Sequence, residues 1–366
     1  MKIAYDHQIF CAQSFGGISR YFVSIAAQLA LKGEQIGVFA PLHRNHYLNS
    51  LPSSLIHGWG VSRYIPKTGQ LMSLPNRIVA KSLIQKWAPD IVHETYYSRT
   101  SCAPRSACKV LTVYDMIHER YPQWGSRWDQ SAILKRVAVD RADHVICISE
   151  STRNDLLEMY NLDPKTISVV YLGAERPTGV AGGDSSSGAR PYLLYVGARP
   201  GHKNFLGFLQ AFASSRKLRT DFDVVAFGGG GFTPAELHEL AKLGLHSSQV
   251  QQVSGGDDRL SQLYVSASAF VYPSLYEGFG LPPLEAMGHR CPVVSSNTSS
   301  MPEVIGDAGE YFDPASGQDM VEAIERVVYS PSRISELVSK GLERQAKFTW
   351  ERCASQTLNI YQQLAK

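Results

Sequence analysis

The segment LYEGFGLPPLEAM, residues 275–287, sets two carboxylates, Glu277 and Glu285, eight positions apart around a turn broken by glycine and proline. It follows the apolar run Ala269–Tyr272, which reads as a buried strand. Gly278 and Gly280 let the backbone turn sharply and present the N–H groups of Phe279, Gly280 and Leu281, whereas Pro282 has none to offer. A helix beginning near Pro282 or Pro283 adds its positive end, so a diphosphate is stabilised there without a metal. Glu285, in the first helical turn, can accept two hydrogen bonds from a ribose diol, and Glu277 can reach a sugar hydroxyl. Two carboxylates held apart by a phosphate-binding turn fit the two sugar ends of a nucleotide sugar.

A second constellation precedes it. The run RPGHKN places Arg199 and Lys203 four apart at the carboxyl end of the strand YVGA, and two cations beside free helix amides suit a phosphate or diphosphate. FGGGG, residues 227–231, allows close approach of backbone to a ligand, or a tight turn. It is not GxGxxG, and that dinucleotide fingerprint is absent from both strand-to-helix turns that could hold it.

These residues need a scaffold, and the periodicity supplies one. The chain has 366 residues, 44% hydrophobic and 19% charged, which suits two folded domains of ordinary size. Continuous apolar strands alternate with amphipathic helices up to about residue 173: DIVHET, KVLTVYD, HVICIS and ISVVYLG are the clearest strands. Residues 174–190, AERPTGVAGGDSSSGAR, break every periodicity and read as a linker. The alternation restarts with YLLYVGA and runs to residue 348, and a last helix covers residues 349–366. Two doubly wound α/β domains are expected, at 1–173 and 191–348, with ligands at the carboxyl ends of the strands and the site in the cleft between the domains.

Taken together, these motifs resemble the retaining family 4 glycosyltransferases, which have the GT-B fold of two Rossmann-like domains. EGFGLPPLEAM is similar to that family's E-x7-E motif, and YVGARPGHKNFLGFLQAF to its Arg and Lys phosphate clamp. YDHQIFCAQSFGGISRYF resembles its N-terminal glycine loop, SSMPEVIGDAGEYFDP the segment after the motif, and FTWERCASQTLNIY the final helix crossing back to the first domain. The resemblance implies that Glu277 contacts the donor sugar, Glu285 the ribose, and Arg199 and Lys203 the departing diphosphate. It implies that Gly16 and Gly17 close over the phosphates, that the backbone of Phe279, Gly280 and Leu281 holds the donor, and that Val253 lines the nucleobase. Members transfer with retention and without a metal or other cofactor, the nucleoside diphosphate sugar being a substrate.

One position departs from the family. Many relatives carry His-Asp after the strand KVLTV, whereas this chain reads Tyr114-Asp115. Asp115 keeps its place; His118 from the following loop, or His93 in DIVHETYY, is the candidate replacement, and Arg120 and Tyr121 are candidates for the acceptor site. The FGGISRYF and YDMIHERYP variants resemble mannosyl- and rhamnosyltransferase members, making GDP-mannose the expected donor and a saccharide or lipid-linked saccharide of a bacterial surface polysaccharide the expected acceptor. Alternatives are a sugar-nucleotide 2-epimerase of the same fold and a non-catalytic scaffold.

Charge and cysteine usage bound the setting. A net charge of +3 gives no reason to expect a nucleic-acid partner. The six cysteines form no CxxC pair and no zinc-spaced cluster, so reduced thiols in a cytoplasmic protein are expected. Asp6 and His7 come too early for a signal-peptide apolar region, and no run approaches the roughly 20 apolar residues of a membrane span. Arg77, Lys81, Lys86, Lys135, Arg136 and Arg141 lie on amphipathic helices that either present an ordinary solvated face or can rest on an anionic membrane surface.

Overall fold

The computed structural model describes residues 1–61, 69–125, 129–175 and 190–365. Of the expected linker, only Ala174, Glu175 and Arg190 are among them. The chain divides into two compact units, one of Met1–Gly173 with Thr349–Lys366 and one of Ala174–Phe348.

The first unit is built on strands β1 (Lys2–Tyr5), β2 (Gln35–Val38), β5 (Ile91–Glu94), β6 (Cys108–Val113), β7 (His144–Cys147) and β8 (Ile167–Val169). They form one sheet in the order β2-β1-β5-β6-β7-β8, and every pairing is parallel. A separate two-stranded pair, β3 (Leu42–His43) and β4 (Trp59–Gly60), was not legible in the sequence because each strand is only two residues long. Strands such as β5 and β7 are buried along their whole length, as expected where helices cover both faces of a parallel sheet.

A buried strand must also satisfy any polar side chain it carries. In β5, His93 lies between Thr112 (2.8 Å) and the Tyr361 hydroxyl (2.5 Å), and Glu94 takes the Arg141 guanidinium. Tyr361 belongs to the final helix, Trp350–Leu364, which is capped by the Thr349 side chain. That helix packs on the helix Gly17–Leu31, where Trp350 meets Tyr21, so the chain's last residues complete the first unit as expected.

The second unit carries β9 (Tyr192–Val196), β10 (Asp223–Phe227), β11 (Val250–Val253), β12 (Ala269–Tyr272), β13 (Val293–Ser296) and β14 (Gly309–Phe312). The order is β11-β10-β9-β12-β13-β14, again all parallel, the doubly wound arrangement of dinucleotide-binding folds. Phe205, Phe208, Phe212, Met320 and Ile324 fill the core on one face of this sheet. β14 was read in the sequence only as a segment trailing the two-carboxylate motif; half of its short GEYF run is incompletely buried, which hides the apolar signature.

Candidate active site in the second unit

A doubly wound sheet opens a crevice where neighbouring strands send their connections to opposite faces. In the second unit those neighbours are β9 and β12, and the two turns that leave them are bound together. The Leu275 N–H donates to the His202 carbonyl at 2.7 Å, and the Asn204 amide donates to the carbonyls of Pro273 (3.1 Å) and Pro314 (3.2 Å). Asn204 holds φ 52°, a left-handed conformation that asparagine tolerates better than most residues. Between these ties, Lys203 Nζ donates to Glu277 Oε1 at 2.6 Å. Burial pushes the Glu277 carboxyl up, but the Lys203 ammonium, aided by Ser274 and His202, outweighs burial and holds it below the usual carboxylate range. Glu277 is therefore an anion at neutral pH, 8% exposed, facing a cation.

The backbone of the Glu277 turn is fixed from the far side by two serines. The Glu277 N–H donates to Ser299 Oγ at 2.9 Å, and the buried Ser300 hydroxyl lies 2.9 Å from the Glu277 carbonyl and 2.7 Å from that of Phe279. Ser299 itself has φ 50°, the kind of local strain that surrounding structure must enforce. Gly280 follows at φ 120°, and a Cβ there would stand 2.9 Å from the Met301 methyl, so only glycine fits.

The helix runs from Leu281 to Gly288, starting ahead of the prolines. Glu285 is thus its fifth residue, in the second turn and not the first; prolines in the first turn are where helix geometry favours them. Since neither Pro282 nor Pro283 carries an N–H, the backbone N–H groups at this helix start are those of Phe279, Gly280 and Leu281. Glu285 is near the Tyr264 hydroxyl, at 3.5 Å, and the Phe279 ring is buried against Phe348.

Arg199 stands differently from its expected place on a diphosphate. Gly228, Gly229 and Gly230 all have positive φ, and the loop they form turns its carbonyls toward the guanidinium. Arg199 donates to the carbonyls of Gly228 and Gly230 at 2.9 Å each and of Gly231 at 3.0 Å, and pairs with Glu236 at 2.5 Å. The Arg199 hydrogen bond, joined by those from Thr233, holds the Glu236 carboxyl at about 2 against the effect of burial. Among the described residues no hydrogen bond links Arg199 to Lys203 or Glu277, and the ion pair of the carboxylate is made by Lys203. Val253 ends β11 next to this loop, its carbonyl accepting from Gly228 N–H at 3.1 Å.

In the first unit the switch lies between β1 and β5, where Asp6 accepts from the Thr95 N–H (3.0 Å) and hydroxyl (2.6 Å). Gly16 and Gly17 open the helix Gly17–Leu31. Asp115 accepts from the Ile117 N–H at 3.0 Å, and its carbonyl takes the Lys135 ammonium at 2.7 Å. His118 turns instead to Asp129, 3.0 Å away, and Arg120 to Asp155 and Glu158, while Tyr121 stacks on Trp124.

Two expectations are corrected here. His93 is not a site residue: it is fully buried between β6 and the final helix, and burial drives it down to about 3, leaving it neutral. Lys135 is not on a membrane-facing surface either. It is completely buried, bridging Glu119 (2.8 Å) and Asp115, and Arg141 turns in to Glu94, whereas Arg136 stays exposed and pairs with Asp140 on its own helix. A basic residue at helical spacing looks solvated in a sequence; only the acidic partners brought by other loops show that it points inward. Asn204, Ser299, Ser300 and Glu236 were missed for the same reason. No group of His, Cys, Asp or Glu able to hold a metal ion, and no helix long and apolar enough to cross a membrane, occurs among the described residues.

Comparison with known proteins follows this geometry. Residues 184–344 match the model of glycosyl transferases group 1, and residues 15–176 that of Glycosyltransferase Family 4. The chain is 27% identical over 372 residues to an O-antigen chain mannosyltransferase B of Escherichia coli, spanning 95% of this chain and 96% of that one. It is 30% identical over 275 residues to an alpha-maltose-1-phosphate synthase of Mycolicibacterium smegmatis, spanning 66% and 69%. The sucrose-phosphate synthase of Thermosynechococcus elongatus superposes with a TM-score of 0.76 at 20% identity, covering 99% of this chain and 98% of that one. Two parallel-sheet units of this order, the matching models across both of them and full-length kinship place this chain in the family 4 glycosyltransferases of GT-B fold.

Proposed function

We propose that the protein is a retaining, metal-independent mannosyltransferase that moves mannose from GDP-mannose to a saccharide or lipid-linked saccharide of a bacterial surface polysaccharide, at the cytoplasmic face of the membrane. The observation that carries this reading is the Lys203–Glu277 pair at the switch point of the second sheet, beside a glycine-led helix start. The mannosyl donor and polysaccharide setting are supported by the full-length likeness to a protein named as an O-antigen chain mannosyltransferase.

In this reading the diphosphate lies on the N–H groups of Phe279, Gly280 and Leu281 and against Lys203, with Glu285 on the ribose and Val253 by the base. Arg199 reaches the diphosphate by giving up the glycine-loop carbonyls. Glu277 holds a hydroxyl of the donor sugar. The bond from the sugar C1 to the diphosphate oxygen breaks as the acceptor oxygen bonds to C1 on the same face. The acceptor proton passes to the departing diphosphate oxygen, and charge on that leaving group is stabilised by fixed donors. Gly16, Gly17, Asp115 and His118 are the first unit's own candidates for binding and catalysis. Arg77, Lys81 and Lys86, with Ile78 and Val79 exposed between them, form the face that meets an anionic membrane.

Transfer from GDP-mannose to mannose-ended oligosaccharide acceptors, in EDTA, tests the reading. Product with the α-configuration of the donor, seen in the one-bond carbon–hydrogen coupling at C1, is the expected result. Inverted product, dependence on an added divalent ion, or release of a 2-epimerised sugar nucleotide would contradict it.

A further inference from the structure

The first unit contains a cavity of 670 Å³ that none of the donor-binding roles above uses. It opens at the carboxyl ends of β1 and β5, and its wall includes His7, Arg44, Arg77, Tyr96 and Arg99. Three guanidinium groups line it, and no aspartate or glutamate does so among the described residues. Among the described residues the hydrogen-bond partners of the Arg77 and Arg99 guanidiniums are neutral, Thr100 at 3.5 Å and Gln130 at 3.1 Å. Arginines gathered around a hollow without carboxylates repel one another, and that cost is offset when an anion is bound. A second observation lies on the cavity wall. His7 is 7% exposed, and its Nδ1 has no hydrogen-bond partner among the described residues. Buried polar atoms of that kind call for an absent partner. Burial holds this imidazole below its ordinary value, against the pull of Asp6, so it is a neutral hydrogen-bonding group and not a fourth cation.

We infer that this cavity binds a phosphoryl group of the acceptor, its oxygens held by Arg77 and Arg99 in the field of Arg44, against the wall that carries His7. Guanidinium forks match phosphate oxygens in pairs, which gives orientation as well as attraction. The inference rests on the transferase reading for the word acceptor, but the anion site itself does not. It makes the acceptor a phosphate- or diphosphate-linked saccharide and disfavours a neutral one. The helix Gly69–Trp87 that supplies Arg77 also exposes Ile78 and Val79, so an apolar aglycone has a surface to lie on beside the phosphate.

Inorganic pyrophosphate is the probe, followed by thermal melting at low salt, where binding to the native state raises Tm by mass action. The proteins are the wild type, the double variant Arg77→Gln/Arg99→Gln and, to silence the donor site, Lys203→Gln and GDP-saturated wild type. Both substituted arginines are exposed, so the double variant is expected to fold. Stabilisation that survives Lys203→Gln and GDP but weakens about tenfold or more in apparent affinity in the double variant supports the site. Stabilisation lost with Lys203→Gln or GDP but kept by the double variant overturns it, as does no stabilisation of the wild type. An equal response to glucuronate overturns the assignment to phosphoryl. The double variant should also transfer poorly to a diphosphate-linked saccharide while its preference over the same saccharide on a neutral aglycone disappears. A wild type that fails to bind GDP-mannose yet responds to pyrophosphate sinks the transferase reading and leaves the anion site standing.

Discussion

Glu277 shows how one side chain depends on its partner. It is nearly buried, and burial alone would raise its pKa; Lys203 at 2.6 Å reverses the outcome. With the folded value below the ordinary one, about 4.3, the pair's stabilisation is present above that pH and lost as pH falls through the lower folded value. Lys203→Ala leaves the carboxylate buried without a counter-charge and should cost about 3 kcal/mol in chemical denaturation. In that variant the sign reverses, and stability should fall as pH rises from about 4.3. Glu277→Gln keeps the shape but removes the charge, and is expected to lower kcat roughly 100-fold, the scale of losing one preorganised electrostatic contact. A kcat within a few-fold of wild type would place Glu277 outside the reacting centre.

Turns and helix starts hold these residues in place. Gly280→Ala forces a side chain into φ 120° and against Met301, so it should destabilise by more than about 1 kcal/mol and weaken donor binding. Ser300→Ala removes the one hydroxyl donor shared by the Glu277 and Phe279 carbonyls, a loss of about 1–3 kcal/mol that should appear as a lower denaturation midpoint with an unchanged slope. At this scale the sequence was informative where function needs local punctuation. Glycine and proline between Glu277 and Glu285, and apolar runs such as AFVY, state turn and buried strand directly. What it hid was long-range: Ser300 meets a loop more than twenty residues earlier, and Arg199 meets glycine carbonyls that only the β9–β10 pairing brings near. The helix begins at Leu281, one or two residues earlier than its prolines suggest, which carries Glu285 from the first turn into the second.

Across the whole molecule, the same doubly wound plan is used twice and each unit is closed differently. The first depends on the last helix: Tyr361 reaches His93 across 268 residues of sequence, a pairing no local pattern announces. Deleting residues 349–366 should therefore unfold the first unit while the second keeps its cooperative transition, seen as one surviving melting step. His93, held near 3 by burial, adds a pH signature. Its neutral form is favoured fully above about 6.5, and stability should decline as pH falls from there toward 3, because the unfolded chain takes up the proton first. His93→Gln should flatten that decline between pH 6.5 and 5, measured by denaturation midpoints.

The most direct test is calorimetric titration of GDP-mannose into the wild type and Lys203→Ala in EDTA. One-to-one binding to the wild type, weakened about tenfold or more by the substitution, is the predicted result. No binding by folded wild type, or binding indifferent to Lys203, would contradict a donor site at the switch point of the second sheet.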